Sequence, residues 1–267
     1  MPNRPSILFL DFDGVLLDSA DETATTAWRG GRRIWPGEWT GDTPPRWLIL
    51  AFRRLRPLLH TGYEAFGLLR LAWMKGEKMS SRLEPDPDNQ RQAAELLRET
   101  GLSRERLTEI FGSTRDCWLQ LDFDGWMNAN RFYPGVVAAL RRRLQHSPES
   151  LYILTTKQQR FVLALASRCG LALHPSRVFG LDTGKSKRQH LSELCPEPRQ
   201  SGQSMHFVED RLPTLLEVGE DENLGELQLH LAEWGYATGE HIGQATRHPR
   251  IDRMSLPRFI ELLAPVS

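Results

Sequence analysis

The chain has few cysteines, no long apolar run and no net charge. Its 267 residues include three cysteines without a Cys-x-x-Cys pair, which argues against a disulfide framework and a zinc ribbon. No stretch approaches the roughly 18 apolar residues of a membrane span. Basic and acidic residues number 34 each, which argues against a nucleic-acid-binding domain. We therefore expect a cytoplasmic globular protein with a sizeable core, no nucleic-acid partner and no membrane contact.

Two common kinds of site motif are also missing. The eight histidines show no His-Glu-x-x-His or His-x-His pattern, so a zinc hydrolase is not expected. The run Gly180 to Ser186 ends in Gly-Lys-Ser, as a P-loop does, but three residues separate its two glycines where the P-loop motif has four. This segment is therefore too short to wrap phosphates in that way.

Short apolar runs predict strands, and most of them alternate with helical patterns after Tyr133. Strands are predicted at residues 7–10, 151–154, 178–179, 205–208 and 227–231. Helices are predicted at residues 136–144, 161–169, 189–194, 213–218 and 256–263. Strands and helices in turn indicate a parallel sheet covered by helices on both faces. The predicted fold class is α/β.

Residues from about 20 to 130 show helical periodicity and no convincing strand. Ser103 is predicted to cap one helix, and Pro57 and Gly62 interrupt the pattern of another region. The segment from Trp47 to Trp73 is basic and aromatic, and it has two interpretations. Its apolar side could pack inside a helical domain, with its arginines near an anionic substrate, which we favour. Alternatively, the segment could lie on a membrane surface.

Chemistry-bearing residues follow several predicted strands. Asp11 and Asp13 come directly after the first strand, Thr155 and Thr156 after the second, and Asp210 after the fourth. The carboxyl ends of parallel strands are where ligands bind in open α/β sheets. Carboxylates gathered there suit Mg²⁺, hydroxyls and lysines suit a phosphoryl group, and Gly14 would let the backbone approach that group closely.

These motifs resemble those of the haloacid dehalogenase superfamily, in its phosphatase branch and in particular its phosphoglycolate phosphatase-like members. The resemblance is carried by Asp11-x-Asp13-Gly14-Val15-x-x-Asp18-Ser19, by Leu151–Lys157, by His206–Asp210 and by Glu233–Tyr236. The resemblance implies a Rossmann-like parallel sheet core with an inserted α-helical cap. The core would comprise residues 1–19 and 131–267, and the cap residues 20–130.

The resemblance also implies an activity and residue roles. The expected protein is a Mg²⁺-dependent phosphatase that hydrolyses a small phosphorylated metabolite through an aspartyl phosphate on Asp11, with Asp13 as general acid and base. Lys187 would be catalytic and would bind the substrate phosphate together with Gly14, Thr155 and Thr156. The metal ligands would be Asp11, Asp13 and Asp210.

Five points stay open. The motif lysine is Lys187 or, alternatively, Lys185, and Glu209 is either a further metal ligand or a surface acid. Many relatives carry an acid where this chain has Thr214, so the surroundings of the metal could differ. The same residues could serve a phosphomutase or phosphotransferase, or a non-catalytic binding protein. Thr155 could also be only the N-cap of the following helix.

One motif occurs twice. Residues 10–14 and 121–125 both read Leu-Asp-Phe-Asp-Gly. The second copy follows a predicted helix rather than a strand, so Asp122 and Asp124 lack the context that a site requires. We expect this second copy to have no catalytic role.

Overall fold

The computed structural model describes residues 6–200 and 202–264, and the chain divides into two compact units. The core unit combines the described residues of 1–18 and 132–267, and the helical unit is Ser19–Arg131. Within the described residues, no helix is both long and apolar enough to cross a lipid bilayer. Each unit has its own buried apolar cluster, so each can be described by itself.

A parallel sheet forms the centre of the core unit. In the described residues it has six strands: β1 (Ile7–Leu10), β2 (Leu151–Leu154), β3 (Val178–Phe179), β4 (Met205–Glu209), β5 (Gln228–Ala232) and β6 (Ile251–Met254). Their order across the sheet is β3-β2-β1-β4-β5-β6. All four residues of β1 are buried, because this strand lies in the interior of the sheet.

The five predicted strands are confirmed, and the α/β fold class with them. Strand β6 was not predicted, because the exposed Asp252 and Arg253 interrupt its apolar pattern at the edge of the sheet. Two further strands of two residues each, Leu17–Asp18 and Arg131–Phe132, are too short to give a sequence signal.

Helices follow the strands of the core unit. Those in the described residues are α7 (Val136–His146), α8 (Gln159–Arg168), α9 (Lys187–Leu194), α10 (Pro196–Gln200), α11 (Leu212–Gly219), α12 (Gly239–Arg247) and α13 (Leu256–Leu263). All five predicted helices are present, with ends shifted by at most two residues. Helices α10 and α12 were not predicted, because the first is proline-rich and the second is mostly polar.

The helical unit contains the remaining helices. They are α1 (Ala20–Gly31), α2 (Arg46–Leu55), α3 (Ala65–Ser80), α4 (Pro87–Glu99), α5 (Arg104–Leu121) and α6 (Phe123–Asn128). Helix α3 is kinked at Gly76, where φ is +73°. Ser103 caps α5 as predicted, since its hydroxyl accepts a hydrogen bond from the Arg106 backbone N–H. Short 3-10 turns replace the α-helix at Arg56–Leu58 and Gly62–Glu64, where proline and glycine interrupt the pattern.

The apolar side of the segment from Trp47 to Trp73 packs inside the helical unit. Leu48, Phe52 and Leu55 of α2 are buried in one cluster with Phe66 and Leu69 of α3. The favoured interpretation of this apolar side, as the interior of a helical domain, is therefore confirmed.

The helical unit also buries an ion pair. Arg115 donates two hydrogen bonds of 2.7 Å to the two carboxylate oxygens of Glu22, and both side chains are buried. Trp126 Nε1 and the Thr26 hydroxyl donate to the same carboxylate, at 3.2 and 2.7 Å. One cation faces one anion here, so the pair is electrically balanced and its carboxylate is fully hydrogen-bonded. This is the arrangement expected of a structural ion pair.

Candidate active site

The first strand brings its following residues to the middle of the sheet edge. Strand β1 lies between β2 and β4, with Leu8 paired to Leu151 on one side and to His206 on the other. The Asp11 backbone N–H continues this pattern by donating to the Val208 carbonyl at 3.0 Å. Because neighbouring parallel strands end together, Asp11, Thr155 and Asp210 are brought to the same edge.

Three carboxylates gather at this edge in a buried cluster. One oxygen each from Asp11, Glu209 and Asp210 lies within 4.8 Å of the others. Lys187 is the cation in their midst: its Nζ is 2.8 Å from Asp11 Oδ1 and 2.6 Å from Glu209 Oε2. The alternative that Glu209 is a surface acid is wrong, since its side chain is fully buried.

The pKa values of the cluster reflect its burial first and its negative charge second. Burial, together with the negative charge of Glu209, raises the pKa of Asp11 to about 7, even though Lys187 acts in the opposite direction. Burial also raises the pKa of Glu209. For Lys187, burial alone would lower the pKa, but the charges of Asp11 and Glu209 outweigh it and raise the pKa. Three buried acids with one buried cation among them favour the binding of a further cation.

Glu209 uses both of its oxygens within the protein. Oε2 accepts from Lys187, and Oε1 accepts from the backbone N–H groups of Asp210 and Arg211 at 3.1 and 3.0 Å. Its carboxylate therefore fixes the position of the Lys187 ammonium group relative to Asp11.

A second ion pair lies at the same strand ends. Lys157 Nζ is 3.1 Å from Asp13 Oδ1, and the lysine side chain is almost completely buried. The Lys157 backbone N–H donates to the Thr155 hydroxyl at 3.1 Å, and Thr155 is itself buried. Thr155 is not the cap of the following helix, because α8 begins after Gln158. A buried ammonium group needs an anionic partner, and for Lys157 that partner is Asp13.

Two glycines make room for Asp210. Gly14 has φ +88°, and a Cβ there would lie 2.1 Å from Asp210 Oδ2. A Cβ at Gly235 would lie 2.3 Å from the Gly14 carbonyl oxygen. The Gly14 N–H donates to the Leu17 carbonyl at 2.8 Å, so this amide is already used inside the loop. Glycine is therefore required at both positions for the close approach of three backbone segments.

The segment after β5 holds the loop that follows β1. Tyr236 N–H donates to Asp210 Oδ2 and the Tyr236 hydroxyl donates to Asp18 Oδ1, both at 2.8 Å. Trp234 Nε1 donates to the Val15 carbonyl at 3.1 Å. These bonds join the segment from Glu233 to Tyr236 to the loop after β1 and to Asp210.

The predicted site residues have different outcomes. Asp11, Asp13, Gly14, Thr155, Lys187, Glu209 and Asp210 lie together at the strand ends. Thr156 is half-buried beside Thr155 in the chain. Lys185 instead pairs with Glu193 at 2.7 Å, and both side chains are exposed. Of the two lysines, it is therefore Lys187 that lies beside Asp11.

Two residues of the site were not assigned a role from the sequence. Lys157 follows Thr155 and Thr156 at the end of β2, and its position in a strand-end motif was the available signal. Tyr236 lies far from the other residues in the chain and gave no signal beyond the resemblance of its segment. Its contacts with Asp18 and Asp210 depend on the tertiary structure.

The cluster suits a divalent metal ion. Asp11 and Asp210 offer buried carboxylate oxygens, which are ligands that Mg²⁺ prefers. One oxygen of Asp210 accepts from the Tyr236 N–H, which orients the carboxylate in the manner expected of a metal ligand. The uncompensated negative charge and the oriented carboxylates together fit a Mg²⁺ ion.

No protein-family model matches the chain, and no curated protein matches its sequence. Solved structures do match. A protein provisionally assigned as a phosphoglycolate phosphatase, from Lactobacillus delbrueckii subsp. bulgaricus, is 12% identical with a TM-score of 0.54, over 98% of this chain and 99% of that one. A provisionally assigned haloacid dehalogenase-like hydrolase from Bacteroides fragilis is 14% identical with a TM-score of 0.54, over 96% and 100% of the chains.

A third structure agrees with these two. It is described as a predicted phosphatase from Clostridium acetobutylicum and is 14% identical with a TM-score of 0.52, over 97% and 98% of the chains. At such identities the likeness concerns the fold, and it extends over nearly the whole chain. The fold that the motif resemblance implies is thus present, and the chain has the haloacid dehalogenase-like fold.

Proposed function

We propose that the protein is a Mg²⁺-dependent phosphatase that hydrolyses a small phosphorylated metabolite through an aspartyl phosphate on Asp11. The observation that carries this proposal is the position of Asp11, a buried carboxylate 2.8 Å from Lys187 Nζ within a cluster of acids. Asp13, the proposed general acid and base, follows two residues later. Similarity to structures described as phosphatases supports the same reaction class.

Asp11 and Asp210 would hold the Mg²⁺ ion through their side chains, and Asp13 through its backbone carbonyl. Bound there, the ion would offset the negative charge of the carboxylates and of the phosphoryl group. We assign Glu209 a different role, because both of its oxygens already accept hydrogen bonds from Lys187 and from the backbone. Glu209 is therefore a positioning residue for Lys187.

Lys187 and Thr155 would bind the phosphoryl oxygens. The Lys187 ammonium group lies against Asp11, where it attracts the phosphate dianion to the nucleophile and stabilises charge in the transition state. The Thr155 hydroxyl accepts from a backbone N–H, which leaves its own hydrogen to donate to a phosphoryl oxygen. We assign Gly14 the role of leaving room for the Asp210 side chain rather than of binding phosphate, because the Gly14 N–H already donates to the Leu17 carbonyl. Thr156 remains a proposed contact of the phosphate.

The reaction takes two steps. In the first, an Asp11 carboxylate oxygen attacks phosphorus, the bond between phosphorus and the ester oxygen breaks, and Asp13 gives its proton to the leaving oxygen. In the second, Asp13 removes a proton from water, the water oxygen attacks phosphorus, and inorganic phosphate leaves as the Asp11 carboxylate re-forms. Lys157 orients Asp13 for both proton transfers.

The domain roles belong to the same proposal. Residues 1–19 and 131–267 would form the catalytic domain, since every proposed reacting residue lies there. Residues 20–130 would form the cap that selects the substrate. A phosphatase screen over sugar phosphates, phosphoglycolate, nucleotides and cofactor phosphates would identify the substrate class.

The test is hydrolysis of p-nitrophenyl phosphate by the purified full chain with Mg²⁺, followed by phosphorus NMR of the best natural substrate. We expect release of inorganic phosphate that requires Asp11. A product in which the phosphoryl group has moved to another hydroxyl would indicate a phosphomutase instead. Turnover that persists in a folded Asp11→Asn variant would contradict the nucleophile assignment.

A further inference from the structure

Positive charge is concentrated in one part of the helical unit. Residues 46–82 contain eight lysines and arginines and two glutamates, although the whole chain is neutral. Arg53 and Arg70 pair with Asp21 and Glu38, so part of this charge is used within the unit.

The outer side of α2 carries both charge and apolar surface. Its inner side is buried, as described above, while Arg46, Leu50 and Arg54 are exposed. These three residues are spaced four apart, so they share one side of the helix. Half of Leu50 is accessible to solvent, at 51%.

Two stacked tryptophans connect this side of α2 to α3. The rings of Trp47 and Trp73 lie 5.8 Å apart and nearly parallel, and both residues are half-buried. Trp73 also packs edge-on against the buried Trp28, so one side of its ring contacts the core of the unit. Met74 follows Trp73 and is 59% exposed.

We call this surface the basic face, and define it as Arg46, Trp47, Leu50, Arg54, Trp73, Met74, Lys75 and Lys78. Its four cations are exposed, and within residues 6–200 and 202–264 none of them makes an ion pair or a side-chain hydrogen bond. Glu77 is the one acidic residue of α3. The basic face therefore combines unpaired cations with tryptophans and exposed apolar side chains.

We propose that the basic face binds the surface of membranes that contain anionic lipids. Unpaired arginines and lysines attract acidic headgroups, tryptophan rings favour the headgroup level, and exposed leucine and methionine side chains gain by leaving water for the acyl boundary. A nucleic acid would be attracted by the same cations, but it offers no apolar layer for Leu50 and Met74. This inference is independent of the proposed phosphatase function, and it replaces the expectation of no membrane contact that the composition suggested.

The experiment is co-sedimentation of the full chain with vesicles at about 0.15 M salt. One vesicle population contains phosphatidylcholine alone, and the other contains phosphatidylcholine with about 30% phosphatidylserine. We expect the protein to pellet with the second population only, and less so as salt is raised. Absence from both pellets, or equal amounts in both, would overturn the proposal.

Two double variants separate charge from apolar contact. Arg46→Gln with Arg54→Gln should weaken partitioning about thirtyfold, the fold-change that about 1 kcal/mol per basic residue gives for two residues. Leu50→Asn with Met74→Asn should weaken it by a similar factor, since the apolar contact is lost. Wild-type binding by either folded double variant would contradict the proposal.

The helical unit offers matched controls for both changes. Leu121 is 82% exposed but lies beside Asp122, and Arg91 and Arg106 are exposed but paired with Asp88 and Glu109. Leu121→Asn, and Arg91→Gln with Arg106→Gln, should leave vesicle binding unchanged. If binding to duplex DNA, rather than to vesicles, depends on Arg46 and Arg54, the ligand is a nucleic acid and the proposal fails.

Discussion

The two copies of Leu-Asp-Phe-Asp-Gly have different structures although their sequences are identical. In the first copy, Leu10 is the buried end of strand β1, Asp11 is buried, and Gly14 has a positive φ. In the second copy, Leu121 is the exposed end of helix α5, and Asp122 caps α6 by accepting from the Gly125 N–H at 2.8 Å. Five identical residues therefore produce a candidate active site in one place and a helix cap in the other.

The difference comes from what precedes and surrounds each copy. An apolar run places the first copy at the centre of a parallel sheet, where two neighbouring strands add Asp210, Glu209 and Thr155. An amphipathic helix precedes the second copy, and its Asp122 and Asp124 are exposed to solvent. Aspartate caps a helix well without help from distant residues. It becomes a candidate for catalysis only where burial and neighbouring charges shift its pKa.

The largest expected effect is on phosphatase activity, and it should distinguish Asp11 from Asp122, the first aspartates of the two copies. Asp11→Asn removes the proposed nucleophile and should lower phosphatase activity by about 10⁴-fold or more. Asp122→Asn should leave activity unchanged, and also stability, because asparagine caps helices as well as aspartate. Hydrolysis of p-nitrophenyl phosphate and circular dichroism of both variants would check this. Equal losses of activity in the two variants would contradict the assignment of a catalytic role to the first copy alone.

The second aspartates should differ by a smaller factor. Asp13→Asn removes the proposed general acid and base and should lower the rate by about 10² to 10⁴-fold. The effect should diminish with a substrate whose leaving group needs no proton, such as p-nitrophenyl phosphate compared with an alkyl phosphate. Asp124→Asn is the matched control, and its rates with both substrates should equal those of the wild type.

The glycines of the two copies should differ in stability. Gly14→Ala combines a positive φ with a Cβ 2.1 Å from Asp210 Oδ2, and should cost about 3 kcal/mol of unfolding free energy. Gly125 is helical, and alanine there would displace the Asp122 carboxylate. The lost cap and the gained helix propensity, each about 1 kcal/mol, should nearly cancel. Urea denaturation of both variants measures the difference.

Acid denaturation can distinguish the sheet that carries the first copy from the helical unit. His206 Nδ1 and His230 Nε2, on β4 and β5, are 3.0 Å apart, and burial together with His206 lowers the pKa of His230 to about 4. Between pH 6.5 and 4 the unfolded chain binds a proton that folded His230 does not, so stability is lost as pH falls through this range.

The loss attributable to His230 should be about 2–3 kcal/mol. His230→Gln should remove this part of the pH dependence, measured as urea midpoints between pH 7.5 and 4, whereas Asp122→Asn should retain it. If His230→Gln loses as much stability between pH 7.5 and 4 as the wild type does, His230 is not the cause of that loss.

The smallest effect concerns metal binding in the absence of substrate. Mg²⁺ at ten to thirty times its Kd should stabilise the wild type by about 1–2 kcal/mol, seen as a rise in Tm that EDTA reverses. Asp210→Asn should abolish the rise, while Asp124→Asn should keep it. A rise that is unchanged in Asp210→Asn would place the Mg²⁺ ion elsewhere.

Much of the fold could be predicted because its signals are local. The strand at residues 7–10 and the closing helix at residues 256–263 have strong periodicities, and both were predicted with the ends that the structure gives. Strand β6 and helix α12 lacked such signals, since the edge strand is half polar and the helix is mostly polar. These elements form because neighbouring parts of the core unit cover them, which is a tertiary effect.

By itself, the sequence determined five strands and five helices of the core in their order along the chain, the aspartates after β1 and the helical nature of residues 20–130. Only the tertiary structure decided that Lys187, rather than Lys185, lies beside Asp11, that Lys157 pairs with Asp13, and that Glu209 is buried. Local patterns specify which side chains follow a strand, because strands and helices have fixed periods. The partners of a charged group depend on segments distant in the chain, whose distances are set by packing of the whole core.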